Sequence, residues 1–575
     1  MEIKKFGKKF ITKAWNGEKL DSTMIAVDTE TSLITSPAII PDLVLITAYD
    51  GGDYIYTIKN KVFMQFMEVN LDATCVFWNG AFDIPVLEQT GFSFDSHIMK
   101  NKVLDGQILY RLLSIAMQGK EANKWSLDYV TETVLKEVLD KDESIRLTFG
   151  QYLNEDKSVR YSDISEAHIK YACLDPVATY LCTQKILKQI ATLPTTTNLA
   201  HNINLLGDLA LAKVTRNGIH IDQERVTRIK QELELEKVRN EEILSTYGYI
   251  KGKKGNTKVL EEICQKEGFN LPATETGKMC TAKVYLEDYK GHPFIEAYLQ
   301  FKGFSKQQNF LNDLEVPIVY PRYNTIKVTS RTSCTKPNIQ QMPRLGDIRG
   351  CFIPKPGSVF LDIDYSAIEL SALASINLKL FKNSVMADLI NEDKDLHRYA
   401  ASKIYKVAED DVSKEQRQTA KILNFGLVAN MSPDTFCGHA AKFGLTLTIE
   451  ESTFLKSEWV KVFPEMAQYW KRGYGKTTVV TDTGFIRGDC SYTEFLNCPM
   501  QLKCAEGAKI ALYNLIKSGY KVVAFVHDQA IIEHPLEGSG CALRHCQEIM
   551  VDSMSQVIRG VKVSTTGEIC DRFKK

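Results

Sequence analysis

Short apolar runs alternate with stretches of helical spacing from Thr23 to about Ile190, the pattern of an α/β domain. Met24–Val27 and Cys75–Trp78 read as strands, each running straight into acidic or turn-forming residues. Leu193–Asn198, with Pro194 and a run of threonines, reads as a linker. From about Asn202 the spacing turns helical, and the charged stretch Arg225–Glu242, with leucines at Leu233 and Leu244, reads as a solvated helix. Lys251, Lys253, Lys254 and Lys258 follow among Gly252, Gly255 and Asn256, either a flexible basic loop suited to phosphate contact or an ordinary surface loop. Beyond Val328 strands return, interrupted by helices from about Leu396 to Lys471, which makes a third α/β region with a helical insertion. No internal repeat is visible.

Length and charge narrow the classes. The 575 residues predict about three to five domains. Apolar runs such as Val522–Val526 are too short to span a bilayer, and the basic start (Lys4, Lys5, Lys8, Lys9) leads into no apolar signal segment. Fourteen cysteines without a Cys-x-x-Cys pair exclude a zinc ribbon and a disulfide scaffold. The 71 basic residues balance 71 acidic ones, which leaves nucleic acid open as a partner, since a basic cleft can sit beside an acidic surface.

Two sets of carboxylates carry the chemistry. In Met24–Glu30 the period of a strand puts Asp28 and Glu30 on one face. Asp83 follows the second strand in Asn79-Gly-Ala-Phe-Asp83, and Tyr171 and Asp175 share one side of a helix at i and i+4. Such oxygen-rich groups suit Mg²⁺ or Mn²⁺, and two ions about 3.5–4 Å apart can generate hydroxide and stabilise a leaving oxygen. Taken alone, the Asp28–Glu30 pattern fits a solvated strand end better than a metal site. The second set begins in Val359–Tyr365, where Phe360, Asp362 and Asp364 alternate with Leu361, Ile363 and Tyr365, and either aspartate suits a metal. Two apolar runs flank His527-Asp528, a hairpin with the acid at its tip. Between them Lys414–Gly426 is rich in helix formers, and Arg417, Lys421 and Phe425 form one stripe that could grip a triphosphate and stack a base.

The first set resembles the 3′→5′ proofreading exonuclease domain of DNA polymerases, with its motifs Asp-x-Glu, Asn-x-x-x-Asp and Tyr-x-x-x-Asp. The resemblance implies two metals on Asp28, Glu30, Asp83 and Asp175, with Tyr171 orienting the attacking water; Pro176, next to Asp175, is expected to bend that helix. The second set is similar to motifs A, B and C of family A DNA polymerases, in Asp364-Tyr-Ser-Ala-Ile-Glu-Leu370, Arg417-x-x-x-Lys421-x-x-Asn424-Phe425-Gly426 and Val526-His-Asp-Gln529. Asp395-Leu-His397, Ser330–Pro343 and Asn497-Cys-Pro-Met-Gln501 resemble its supporting segments. The resemblance runs from about Thr23 to Asp571. It implies an α/β multidomain chain, an RNase H-like exonuclease domain (1–192) ahead of a right-hand polymerase. Thumb and start of palm would fill 193–325, palm 326–390, fingers 391–475 and the rest of the palm 476–575.

By the same resemblance Asp364 and Asp528 hold two Mg²⁺, replaceable by Mn²⁺, while Arg417, Lys421 and His397 neutralise phosphate charge and Lys421 serves as general acid. Tyr365 joins the nucleotide site, Phe425 stacks on the base and rejects dideoxynucleotides, and Glu369 shuts out a ribose 2′-hydroxyl. Arg331, Asn338, Gln340, Asn497, Gln501 and His527 contact primer-template DNA. Departures are Ala429 where an aromatic is usual, Ala367 for Gln, Ser371 for Arg and Gln529 for Glu. They lead to the expectation of a pocket tolerant of unusual bases, as in a phage replicase. With only about 20 residues before the first strand, no 5′-nuclease region and no transit peptide are expected, which fits a monomer in the cytoplasm of a bacterial host. Partners are primer-template DNA and deoxynucleoside triphosphates, with processivity factors left open and no membrane. The competing readings are a single-subunit RNA polymerase, opposed by Glu369, and a 3′→5′ exonuclease whose degenerate polymerase half only binds DNA.

Overall fold

The computed structural model describes residues 1–139, 142–195, 197–249, 256–271, 279–280, 283–343 and 347–574. Its N-terminal region is built on a seven-stranded sheet of β1 (Glu2–Lys5), β2 (Lys8–Ala14), β3 (Met24–Thr31), β4 (Leu43–Tyr49), β5 (Tyr54–Ile58), β6 (Thr74–Phe77) and β7 (Val103–Asp105). The order is β1-β2-β5-β4-β3-β6-β7, with β3, β6 and β7 parallel and β4 antiparallel to β3. The β1–β2 hairpin corrects the expectation that the first strand starts near Thr23. Phe6 and Gly7 turn it at positive φ (+54° and +67°), the geometry a two-residue hairpin loop needs. Lysines fill most of its outward positions, so its alternation shows only in the buried Ile3 and Phe10.

The helix Glu166–Ile190 packs on this sheet and runs unbroken through Pro176. Proline cannot donate to the carbonyl four residues back, Ala172. Thr47 Oγ1, on the central strand β4, donates to that oxygen instead at 3.1 Å. The sheet thereby satisfies the acceptor that the sequence leaves open.

A second sheet carries Asp362 and Asp364 and the His527-Asp528 turn: β8 (Ser358–Tyr365), β9 (Lys521–Val526), β10 (Gln529–Pro535) and β11 (Thr565–Cys570), all antiparallel in the order β9-β10-β8-β11. The long helix Tyr492–Lys517 packs against β9, and the helix His201–Asn217 packs on that helix. Gly207 makes the approach possible, since a Cβ there would lie 2.7 Å from Lys509 Cγ. Lys509 is fully buried and donates to Asn204 Oδ1 (2.7 Å) and Ser330 Oγ (2.9 Å), which ties Ser330, at φ +56°, to the helix pair. Five helices from Leu396–Tyr405 to Glu465–Lys471 form the helical insertion. The charged stretch is the helix Gln223–Thr246, which buries Val226, Ile229, Leu233 and Leu244 against Pro293–Asn312. Lys251, Lys253 and Lys254 lie outside the described residues; Lys258 sits on the helix Asn256–Lys266 and pairs with Glu262 at 3.7 Å.

The N-terminal region meets the rest of the chain through side chains, as in the Lys517–Asp95 and Lys327–Glu121 pairs, and through backbone. Gly488 N–H donates to Ile115 O at 3.1 Å, and a Cβ at Gly119 or Gly488 would meet opposing carbonyl oxygen at 2.4 Å. Thr195 Oγ1, in the linker, donates to Gly484 O at 2.9 Å. Among the described residues no helix is long and apolar enough to cross a membrane.

Candidate functional site

The first site opens where β3 ends. Strand alternation brings Asp28 and Glu30 to one face, and the helix Glu166–Ile190 delivers Asp175, so that oxygens of the three carboxylates lie within 4.8 Å of one another. Asn79 takes φ +89°, a conformation asparagine tolerates, and turns the chain from β6 into the helix Gly80–Leu87 that carries Asp83. Asp83 stands beside the trio in the same cavity of about 770 Å³ and accepts from Thr29 Oγ1 at 2.6 Å. Burial pushes its carboxyl up to about 7, with Asp105 and Asp175 adding to the rise and Thr29 opposing it. Tyr171 lines the same cavity. The exposed Leu33 and Ile34 line it too, and sequence pattern does not single them out because isolated apolar loop residues are common on surfaces.

The second site is set by register. Ile363 pairs with Ala530, so Asp364 falls one step beyond, beside the two-residue turn His527-Asp528. Both aspartates line a cavity of about 220 Å³ together with Arg331, Glu369, Phe425 and His527. Burial, reinforced by the Asp364 carboxylate, lifts Asp528 to about 7. Clustered hard oxygen donors with raised carboxyls fit a divalent cation at both sites, since the ion supplies the missing countercharge. Ala367, at φ +48°, starts the helix Ile368–Phe381, and Glu369 in its first turn is ion-paired with Arg331.

The helix Lys414–Gly426 begins with a capping box between Ser413 and Gln416. Its stripe faces outward: Lys421 and Phe425 are exposed, and Arg417 Nε donates to Asp395 Oδ2 at 2.7 Å. Asp395 also caps the helix Leu396–Tyr405, accepting from His397 N and Arg398 N at 2.9 and 3.1 Å. One carboxylate therefore positions two phosphate-binding candidates, a role that sequence pattern left unassigned. His397 corrects the expectation of a cation. It is 8% exposed, its Nδ1 lies 2.8 Å from Asn424 Nδ2, and burial pushes its pKa down to about 4. The neutral ring is then held as the Nε2–H tautomer, a hydrogen-bond donor without charge. Trp459 Nε1 locks Asn424 from the other side at 2.7 Å.

Tyr365 lines the cavity, and its hydroxyl donates to Met550 O at 2.6 Å, which fixes the ring in the wall. Gln340 is buried and its amide donates to Thr332 Oγ1 (2.6 Å) and Phe525 O (3.3 Å), so it fastens the Ser330–Pro343 segment to the palm hairpin. Asn338 opens the short turn Ile339–Gln341, and Asn497 and Gln501 sit half-buried on the helix Tyr492–Lys517. Gln529, the departure in motif C, donates to Asp362 Oδ1 at 2.5 Å. The carboxylate missing at position 529 thus has a counterpart on the neighbouring strand.

Residues 4–191 match the family model described as 3′-5′ exonuclease, and residues 223–574 match DNA polymerase family A. DNA polymerase I of Aquifex aeolicus is 27% identical over 73% of this chain and 79% of its own length. DNA polymerase I of Borreliella burgdorferi is 24% identical over 89% of this chain and 58% of its own. Among solved structures, the POL domain of Pol1 from M. smegmatis in complex with DNA primer-template and dNTP shares the fold at a TM-score of 0.72, with 17% identity over 96% of both chains. The matches follow the order of the two carboxylate sites along the chain, and the protein belongs to DNA polymerase family A, with a 3′-5′ exonuclease domain ahead of the polymerase domain.

Proposed function

We propose that the chain synthesises DNA from deoxynucleoside triphosphates on a primed template and trims mispaired 3′ ends at its exonuclease site. The observation that carries this reading is the hairpin register that sets Asp364 beside Asp528 in a cavity walled by Arg331, Glu369 and Phe425. The primer-template and dNTP of the M. smegmatis neighbour support the substrate class. Two magnesium or manganese ions held by Asp364 and Asp528 would acidify the primer 3′-hydroxyl and neutralise the triphosphate. Arg417 and Lys421 meet the phosphates, and Lys421, whose side chain is exposed, protonates the leaving pyrophosphate. His397 orients a phosphate oxygen by a neutral hydrogen bond. Phe425, 39% exposed, offers its ring to the base, and Glu369 occupies the wall where a 2′-hydroxyl would enter. In the exonuclease cavity Asp28, Glu30, Asp83 and Asp175 would hold ions of the same kind, with Tyr171 orienting water. The small Ala429 supports tolerance of unusual template bases, as a phage replicase with a modified genome needs.

The test is a labelled primer-template with Mg²⁺, with and without the four deoxynucleotides, using the parent, Asp528→Ala and Asp28→Ala. Extension lost only in Asp528→Ala and shortening lost only in Asp28→Ala is the expected result. Shortening without extension in the parent would instead identify an exonuclease whose polymerase half only binds DNA.

A further inference from the structure

The helix that carries the triphosphate-binding candidates ends at Gly426, and just past it Asn430 meets one of a pair of stacked tyrosines. Asn430 Nδ2 donates to the Tyr492 hydroxyl at 2.8 Å, and that hydroxyl donates to Trp470 O at 3.2 Å. Gly473 leaves the ring its place, since a Cβ there would lie 2.8 Å from Tyr492 Cε2. The Tyr492 ring is thus fixed from three directions. Tyr474 lies flat on it, with centroids 5.2 Å apart and planes inclined by 11°. Tyr474 is itself 64% exposed, so the pair presents a rigidly backed aromatic surface to solvent. A tyrosine that served only to cover Tyr492 would not leave most of its own surface in water.

Charge points to the same kind of ligand. Lys471, Arg472 and Lys476 flank Tyr474 along the chain, Lys471 and Lys476 are exposed, and no carboxylate pairs with any of the three among the described residues. Cations interleaved with an open ring suit a single nucleic-acid strand, with phosphates on the cations and a base on the ring. Position selects which strand. Tyr492 begins the helix that reaches Cys504 and Ala505 in the wall of the Asp364–Asp528 cavity. At 1.5 Å per residue that separation is about 18 Å, or about five nucleotides at 3.4 Å each. An unpaired strand leaving the synthesis site spans this distance within a few bases.

We propose that Tyr474, backed by Tyr492, is a stacking platform for the unpaired template strand ahead of the synthesis site, with Lys471 and Lys476 on its phosphates. The proposal rests on the synthesis reading above and assigns to this chain a contact outside its metal sites.

The test uses the full-length protein in an Asp28→Ala background, so that the primer is not trimmed. It is titrated with hairpin primer-templates carrying no template overhang or a six-nucleotide 5′ overhang, with 2-aminopurine placed at each overhang position in turn. In the parent the overhang tightens binding about tenfold, the effect of one stacked base, and one 2-aminopurine position is quenched. Tyr474→Ala removes both effects and Tyr474→Phe keeps both. Lys471→Ala/Lys476→Ala lowers the slope of log Kd against log salt by about 1.4, the release from two single-strand phosphates. Because Tyr474 is mostly in solvent, its truncation opens no core. Overhang preference and quenching that persist in Tyr474→Ala, or a parent indifferent to the overhang, overturn the platform. Primer extension by the same proteins keeps the two readings apart: extension with unchanged overhang binding in Tyr474→Ala refutes the platform alone, whereas a parent that never extends refutes synthesis.

Discussion

Gln529→Glu is expected to destabilise the palm in a strongly pH-dependent way. Asp362 is 2% exposed and accepts from Gln529 Nε2 at 2.5 Å. Its oxygens also lie within 4.8 Å of ligand atoms of Glu568 and Cys570, the first directly across the β8–β11 ladder. A glutamate in place of Gln529 replaces this donor with a second carboxylate. Two charges about 4 Å apart at an effective dielectric near 20 repel by about 4 kcal/mol, and the lost hydrogen bond adds about 1 kcal/mol. The introduced group can escape by taking a proton, which costs about 1.4 kcal/mol for each pH unit above its ordinary value near 4.3. That escape costs about 5 kcal/mol at pH 8 and about 1.6 kcal/mol at pH 5.5, where the protonated acid also restores a donor to Asp362. The folded-state pKa of the introduced carboxyl is therefore raised above its unfolded value, so stability is retained at low pH and lost as pH rises. Equilibrium urea unfolding at pH 5.5 and pH 8 should show a deficit below about 2 kcal/mol in the first case and of about 4–5 kcal/mol in the second. Asp362→Asn combined with Gln529→Glu should recover the loss to within about 1 kcal/mol, since the like charge is gone. A deficit independent of pH, or undiminished in the double variant, would refute the reasoning.

Thr47→Val keeps the side-chain shape but removes the hydroxyl that donates to the Ala172 carbonyl, and should cost about 1–3 kcal/mol in urea unfolding while slowing primer shortening through Tyr171 and Asp175. Unchanged stability and shortening would show that the carbonyl opposite Pro176 needs no partner. Glu369→Ala should lower the preference for deoxy- over ribonucleotides by about 10- to 200-fold in the ratio of kcat/KM values, and an unchanged ratio would remove Glu369 from sugar selection. His201 is fully buried, accepts from Asp105 N–H at 2.8 Å, and is pushed by burial down to about 4. The unfolded chain, with its histidine near 6.5, takes up more protons below neutrality, so stability is present above about pH 6.5 and falls by about 2 kcal/mol by pH 5. His201→Gln keeps an acceptor for Asp105, and its urea midpoint should change less between pH 7 and pH 5 than that of the parent.

Both carboxylate sets were readable from local pattern. The alternation in Val359–Tyr365 put Asp362 and Asp364 on one face, the apolar runs around His527-Asp528 gave the hairpin, and the four-residue spacing of Arg417, Lys421 and Phe425 gave the stripe, because strand and helix periods are fixed by the backbone itself. The N-terminal hairpin escaped the pattern because lysines hide its period. Contacts between distant segments had no local signature at all. Gln529 meets Asp362 across 167 positions, Thr47 meets Ala172 across 125 and Lys509 meets Asn204 across 305.

The sequence by itself therefore determined which side chains could do chemistry and the local elements that carry them. The tertiary structure alone decided which acids share a cavity, that His397 is buried and neutral, that Gln529 answers Asp362, and that Tyr492 stands behind Tyr474 and is held by Asn430. The reason is physical: periodicity is set within a few residues of chain, whereas register, burial and the local dielectric are set by what packs against a residue from elsewhere.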